Sequence, residues 1–112
     1  MATYPVDPDV RRIAARFGVD PKLIQAVVKA EGNILKAVQC SFPNIKTEDE
    51  ALEITCRSAA HALSDYVKQT DPEGFAKFWG SRWAPVGATN DPMNLNRNWP
   101  ANVLRFWLSY FA

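Results

Sequence analysis

The 112-residue sequence predicts a compact, single-domain all-α fold with about five helices. Three Asp-Pro pairs, Asp7-Pro8, Asp20-Pro21 and Asp71-Pro72, each supply an N-cap followed by proline at the first helical position. Apolar residues downstream of these pairs recur at three- and four-residue spacing. No segment predicts a β-strand of useful length. A chain of 112 residues has the length of one domain.

The first two helices have clear boundary signals. We predict one from about Pro8 to Phe17, capped by Asp7 and ended by Gly18. The second runs from Asp20 to Glu31 and ends at Gly32, which is placed to form a left-handed cap. Its apolar positions are Leu23, Ala26, Val27 and Ala30.

The third helix is predicted to be the longest and the most central. After an irregular stretch from Asn33 to Lys46, the segment 47–50, Thr-Glu-Asp-Glu, forms a capping box. The apolar stripe that follows indicates burial along one face: Leu52, Cys56, Ala59, Leu63 and Tyr66.

Two further helices complete the predicted domain. Asp71-Pro72 starts the fourth, whose inward-facing residues are Phe75, Phe78 and Trp79. An irregular, Asn-rich loop from Ala84 to Trp99 precedes the last helix, which we expect from about Pro100 to Tyr110.

Composition excludes several functional classes. Thirteen basic and twelve acidic residues give a net charge of +1, which offers no electrostatic footprint for nucleic acid or an anionic membrane. No membrane span and no signal peptide are predicted. Cys40 and Cys56 either form one disulfide or remain two buried thiols, and with His61 they lack the spacing of a zinc site. We therefore expect no metal and no cofactor.

Glu31 is the first candidate for chemistry. It lies at the predicted C-terminus of an apolar helix, where the macrodipole disfavours negative charge. Apolar neighbours would add to this effect, and both favour the protonated form that a general acid needs. The alternative is a solvated glutamate near a helix end, which is the commoner case.

The Asn-rich loop is the second candidate. Long irregular loops in small domains are often functional, and amide side chains match sugar hydroxyl and acetamido groups. We expect Asn90, Asn94 and Trp99 to contact substrate, with Trp83 and Tyr66 lining the cleft. The alternative is that the asparagines satisfy local turns while the tryptophans belong to the core.

A second carboxylate would complete a glycosidase pair. Two-carboxylate glycosidases hold these groups about 5–5.5 Å apart for retention and about 6.5–9.5 Å apart for inversion. Asp91 and Asp65 are the candidates, and capping a turn before Pro92 is the alternative role of Asp91. His61 is interpreted as a half-buried helix residue.

Residues 17–33 resemble the opening of the goose-type lysozyme and soluble lytic transglycosylase group. There, a Gly-Val-Asp-Pro cap leads into an apolar helix that ends in the catalytic glutamate, usually followed by serine. Glu31 matches that glutamate, and Gly32 replaces the serine. The resemblance implies a lysozyme-like fold in which Glu31 protonates the glycosidic oxygen between N-acetylmuramic acid and N-acetylglucosamine.

The second half of the chain resembles a segment of phage and bacterial lysozyme-like cell-wall hydrolases. The matching residues are Trp83-Ala84-Pro85 through Asp91-Pro92, then Leu95-Asn96, Trp99 and Asn102-Val103. In those proteins this segment lines the glycan cleft opposite the glutamate. The Gly-Leu-Met-Gln and Ala-Tyr-Asn-Ala-Gly segments usual in the transglycosylases are not found, which leaves open an anhydro or a hydrolysed product.

The sequence thus predicts a monomeric peptidoglycan-cleaving enzyme that acts on the cell wall, with Glu31 as general acid. In a transglycosylase, Glu31 would next act as base on the muramyl hydroxyl; in a hydrolase, it or Asp91 would activate water. Two alternatives stay open: a non-catalytic glycan-binding or virion- or secretion-associated module of the same fold, and a small helical partner-binding protein such as an inhibitor.

Overall fold

Six α-helices account for most of the residues that the structure describes. The computed structural model describes residues 3–66, 70–88, 91 and 93–112. The helices are α1 (Pro8–Phe17), α2 (Pro21–Glu31), α3 (Ile34–Gln39), α4 (Glu48–Asp65), α5 (Pro72–Trp83) and α6 (Trp99–Ser109), and a 3₁₀ turn at Leu95–Asn98 precedes α6. The predicted all-α class is confirmed.

The helices begin at the residues that the sequence marks. The side chains of Asp7, Asp20 and Asp71 each accept a hydrogen bond from a backbone N–H in the first turn of the helix that follows. Thr47 and Glu50 form the reciprocal bonds of the predicted capping box. Gly32 ends α2 with φ 77° and ψ −42°, a positive φ that lies outside the left-handed helical region.

The structure differs from the sequence prediction in three places. Helix α3 occupies part of the stretch expected to be irregular, with Asn33 as its N-cap and Ile34 and Val38 buried. The Asn-rich loop contains the 3₁₀ turn, and α6 begins at Trp99, one residue early. Tyr66 caps the C-terminus of α4 instead of extending its stripe.

Helix α2 is central to the packing. It contacts α6 most extensively and also touches α1, α3 and α4. The fully buried side chains around it include Ile13, Leu23, Ile24, Leu52, Trp79 and Val103. The radius of gyration is 13.3 Å, close to the value of about 13 Å expected for a compact domain of this length.

Indole N–H groups join α6 to both ends of α2. Trp107 Nε1 donates to Asp20 Oδ2 at 3.0 Å, at the start of α2. Trp99 Nε1 donates to Glu31 Oε1 at 2.8 Å, at its last residue. These contacts fix an antiparallel pair of helices.

Both cysteines are free thiols. Cys40 is exposed at the end of α3, whereas Cys56 is buried in α4. Burial, helped by the charge of Glu53, raises the pKa of the Cys56 thiol from 9.0 to about 11. The cysteines are therefore unbridged, but the alternative of two buried thiols holds for Cys56 alone. In the part of the chain that is described, no helix combines the length and apolar character needed to cross a membrane.

Candidate functional site

Glu31 lies in a cleft of about 580 Å³. One wall comes from α3 and the turn after it, and the other from the end of α5 and the loop that follows. Ile54 and Ser58 of α4 also line the cleft. Glu31 is the last residue of α2 and is half-buried. The packed helix therefore fixes its position at the cleft.

Two indole groups hold one oxygen of this carboxylate. Trp99 Nε1 donates to Glu31 Oε1 at 2.8 Å, and Trp83 Nε1 donates to the same atom at 3.3 Å. An indole N–H can only donate, so both contacts use Glu31 Oε1 as their acceptor and fix the orientation of the carboxylate.

The ring of Trp99 lies behind the carboxylate. Its side chain is buried, and it meets Trp79 edge-on with ring centroids 5.5 Å apart. An added Cβ at Gly80 would lie 3.0 Å from Trp99 Cε3, so glycine allows this close approach. Trp99, expected to contact substrate, is placed to orient Glu31 instead, because its ring face is covered.

Trp83 lies on the cleft surface, as predicted. It is the last residue of α5, is half-buried and lines the cleft while it donates to Glu31. Phe42 lines the same cleft from the turn after α3 and is 50% exposed. The cleft therefore presents aromatic surface from two separate segments.

Asp91 has a different environment from the one a water-activating carboxylate needs. It is buried, and its oxygens accept backbone N–H groups of Leu95 at 2.7 Å, Asn96 at 3.1 Å and Gly87 at 3.4 Å. It is not among the residues that line the cleft. This placement favours the turn-capping role that the sequence left open for Asp91.

The other predicted site residues that the structure describes do not line the cleft around Glu31. Asn94 is exposed and adopts a left-handed conformation with φ 57°, typical of a turn. Tyr66 donates its hydroxyl to Asp71, and neither Tyr66 nor Asn94 lines the cleft. Asp65 forms an ion pair with Arg82 at 2.7 Å. Asn90 lies outside the described residues.

Several residues of the cleft were not among the predicted substrate contacts. Asn96, which the resemblance included in its cleft-lining segment, lines the cleft, and its Nδ2 donates to the carbonyl oxygen of Pro85 at 3.0 Å. Arg82 and Ser58 also line it, as do residues 40–42 after α3. Asp91 accepts the backbone N–H of Asn96, a contact that the Asn-rich composition alone does not predict.

Other ionisable groups near the site are few. Glu31 is the single carboxylate among the described cleft residues, with Arg82 as the cation and Cys40 as the thiol. Over the same described ranges, no group of three or more His, Cys, Asp or Glu residues could hold a metal ion. Comparison of the chain with protein-family models, curated proteins and solved structures finds no match.

Proposed function

We propose that this protein cleaves the glycan strands of peptidoglycan, with Glu31 as general acid and base. The observation that carries the proposal is the carboxylate itself. Glu31 ends a packed helix inside a cleft, and two indole N–H groups, one buried and one at the cleft surface, hold one of its oxygens. A general acid needs this combination of fixed position and partial shielding from water.

The cleft surface supports a carbohydrate ligand. Sugars present apolar ring faces and hydroxyl edges, and Trp83 and Phe42 offer aromatic surface for the faces. Hydroxyl and amide groups for the edges come from Ser41, Ser58 and Asn96. The cleft volume of about 580 Å³ lies within the range of small-molecule binding sites.

The proposed reaction begins with proton transfer. The protonated carboxyl of Glu31 gives its proton to the glycosidic oxygen, and the bond from that oxygen to C1 of the muramyl residue breaks. Positive charge develops on this sugar as the leaving sugar takes the proton as a hydroxyl group. Glu31 is then an ionised carboxylate next to an electrophilic carbon.

A single carboxylate favours completion by an internal nucleophile. The 6-hydroxyl oxygen of the muramyl residue attacks C1, and its proton returns to Glu31. The 1,6-anhydro fragment and the released fragment together contain every atom of the substrate, and the acid is regenerated without water. Two-carboxylate hydrolysis would need a partner for Glu31, and Asp91 already accepts three backbone N–H groups.

The direct test uses purified peptidoglycan sacculi with the wild type, Glu31→Gln and Glu73→Gln. Glu73 is an exposed residue of α5 that pairs with Lys77 and does not line the cleft, so it provides the matched control. We expect the wild type and Glu73→Gln to release soluble fragments with anhydro ends, and Glu31→Gln to release at least about 100-fold less.

Mass spectrometry of the fragments distinguishes the outcomes. Fragments that carry one added water would show hydrolysis in place of the internal transfer. Retention of the protein on sacculi with no fragments released by any variant would favour the glycan-binding module. Equal release by the wild type and Glu31→Gln would refute the role of Glu31.

A further inference from the structure

We infer that Trp83 and Trp99 confine the exchangeable proton of Glu31 to Oε2, the oxygen open to the cleft. Both tryptophans are positioning residues in this inference, because they act through Glu31. The location of the proton follows from the hydrogen bonds alone. Its consequence for catalysis rests on the proposed function.

The first step concerns Oε1. An indole N–H donates a hydrogen bond and cannot accept one. Glu31 Oε1 receives two such donors, from Trp99 at 2.8 Å and Trp83 at 3.3 Å. With both indoles directed at its lone pairs, Oε1 has no position for a proton of its own.

The second step concerns Oε2. Within the described ranges, no hydrogen bond is found for this atom, and every buried side-chain nitrogen or oxygen there has a partner. An oxygen without a partner in the described ranges is therefore not fully buried, and Glu31 is a residue of the cleft, so Oε2 is accessible to solvent there. The carboxyl proton is therefore carried where a ligand can reach it.

The third step concerns how firmly the donors are held. Trp99 is the first residue of α6 and packs edge-on against Trp79, whose own N–H donates to Ser58 at 2.9 Å. Trp83 ends α5 and also contacts the Trp79 ring, with centroids 5.8 Å apart. The two indoles thus belong to one buried aromatic cluster and resist rotation.

This arrangement gives the acid a defined direction. Without the indole donors, a proton on Glu31 could occupy either oxygen, and the carboxyl group could rotate. With them, every protonated Glu31 presents its O–H to the cleft. Proximity and orientation of this kind account for a large part of many enzymatic rate enhancements.

The four tryptophan indoles provide a readout that does not depend on activity. We would record ¹⁵N–¹H spectra of the indole groups across pH in the wild type and in Glu31→Gln. Trp83 and Trp99 should shift together with one midpoint in the wild type, and neither should show that transition in Glu31→Gln. Trp79, bonded to a hydroxyl, is the reference that does not titrate.

The other ionisable groups of the described cleft are Arg82, paired with Asp65, and Cys40. Glu31→Gln separates their influence from that of Glu31. In Trp83→Phe, one of the two donors to Oε1 is lost, so Trp99 alone should report the transition that Glu31→Gln abolishes. This variant retains most of its packing because Trp83 is half-buried.

Kinetics test the catalytic part with a matched pair of variants. Trp99→Phe removes an indole bond to Glu31, and Trp107→Phe removes an indole bond of 3.0 Å to Asp20. We expect Trp99→Phe to lower kcat about tenfold or more with KM within about threefold, and Trp107→Phe to change neither by more than about twofold.

The outcomes separate this inference from the proposed function. Separate midpoints for Trp83 and Trp99, or a shared transition that persists in Glu31→Gln, would overturn the placement of the proton. A shared transition in a protein that cleaves no glycan would support that placement and refute the function. Equal kcat losses in both phenylalanine variants would overturn the positioning role.

Discussion

Replacing Asp91 with asparagine is expected to destabilise the protein, because Asp91 organises the loop that forms one wall of the cleft. Its two oxygens accept three backbone N–H groups, one on Oδ1 and two on Oδ2. An asparagine amide nitrogen donates and cannot accept. In either orientation of the amide, at least one N–H loses its acceptor and the others lose a charged partner.

The magnitude follows from these bonds. An unsatisfied donor costs about 1–3 kcal/mol, and neutral acceptors bind roughly half as strongly as charged ones. Gly87 and Leu95 are exposed, so water can replace part of what is lost. We therefore expect a loss of about 2 kcal/mol in the free energy of unfolding, or about 8 °C in Tm for a domain of this size.

Thermal denaturation followed by circular dichroism measures this effect, with Asp65→Asn as control. Asp65 forms an exposed ion pair with Arg82, so its replacement should cost less than about 1 kcal/mol. If Asp91→Asn kept the wild-type Tm and lost glycan cleavage, Asp91 would take part in the chemistry, and the role assigned to it from the hydrogen bonds would be wrong.

Three further predictions concern the two cysteines and Gly80. Ellman's reagent should label Cys40 in the folded protein at pH 8, and Cys56 only after denaturation. Because folding raises the pKa of Cys56 from 9.0 to about 11, ionisation favours the unfolded chain as the pH rises through this window. The free energy of unfolding should fall by about 2 kcal/mol between pH 9 and 11 from this thiol, and Cys56→Ala should remove its contribution to the slope in denaturant titrations. Gly80→Val should displace the Trp99 ring and cost about 1–3 kcal/mol, with Gly80→Ala costing less; an unchanged Tm in Gly80→Val would contradict the close packing.

The helices were predictable because their start signals are local. An aspartate followed by proline, or a capping box, fixes where a helix begins without reference to the rest of the chain, and α1, α2, α4 and α5 all begin at such signals. Helix α3 was not predicted because its six residues, of which two are buried, are too few to show a periodic apolar pattern.

The site was predictable in its location but not in its contacts. Trp83 and Trp99 bracket the Asn-rich loop and were expected near Glu31, where the structure has them. Trp99 was expected to contact substrate, whereas its ring is buried and its N–H, like that of Trp83, meets the carboxylate. This depends on packing between residues 52 and 68 positions apart in the chain, which periodicity does not encode.

The antiparallel pairing of α2 and α6 has a mechanical consequence. Indole bonds at both ends, from Trp107 to Asp20 and from Trp99 to Glu31, make the two helices a single strut. If the cleft widens to admit a polymer, we expect the displacement in the cleft wall after α3, because the chain there is made of turns. Amide hydrogen exchange should therefore be slow along α2 and α6 and faster across residues 40–46. A long glycan strand would then enter the cleft while Glu31 keeps its position.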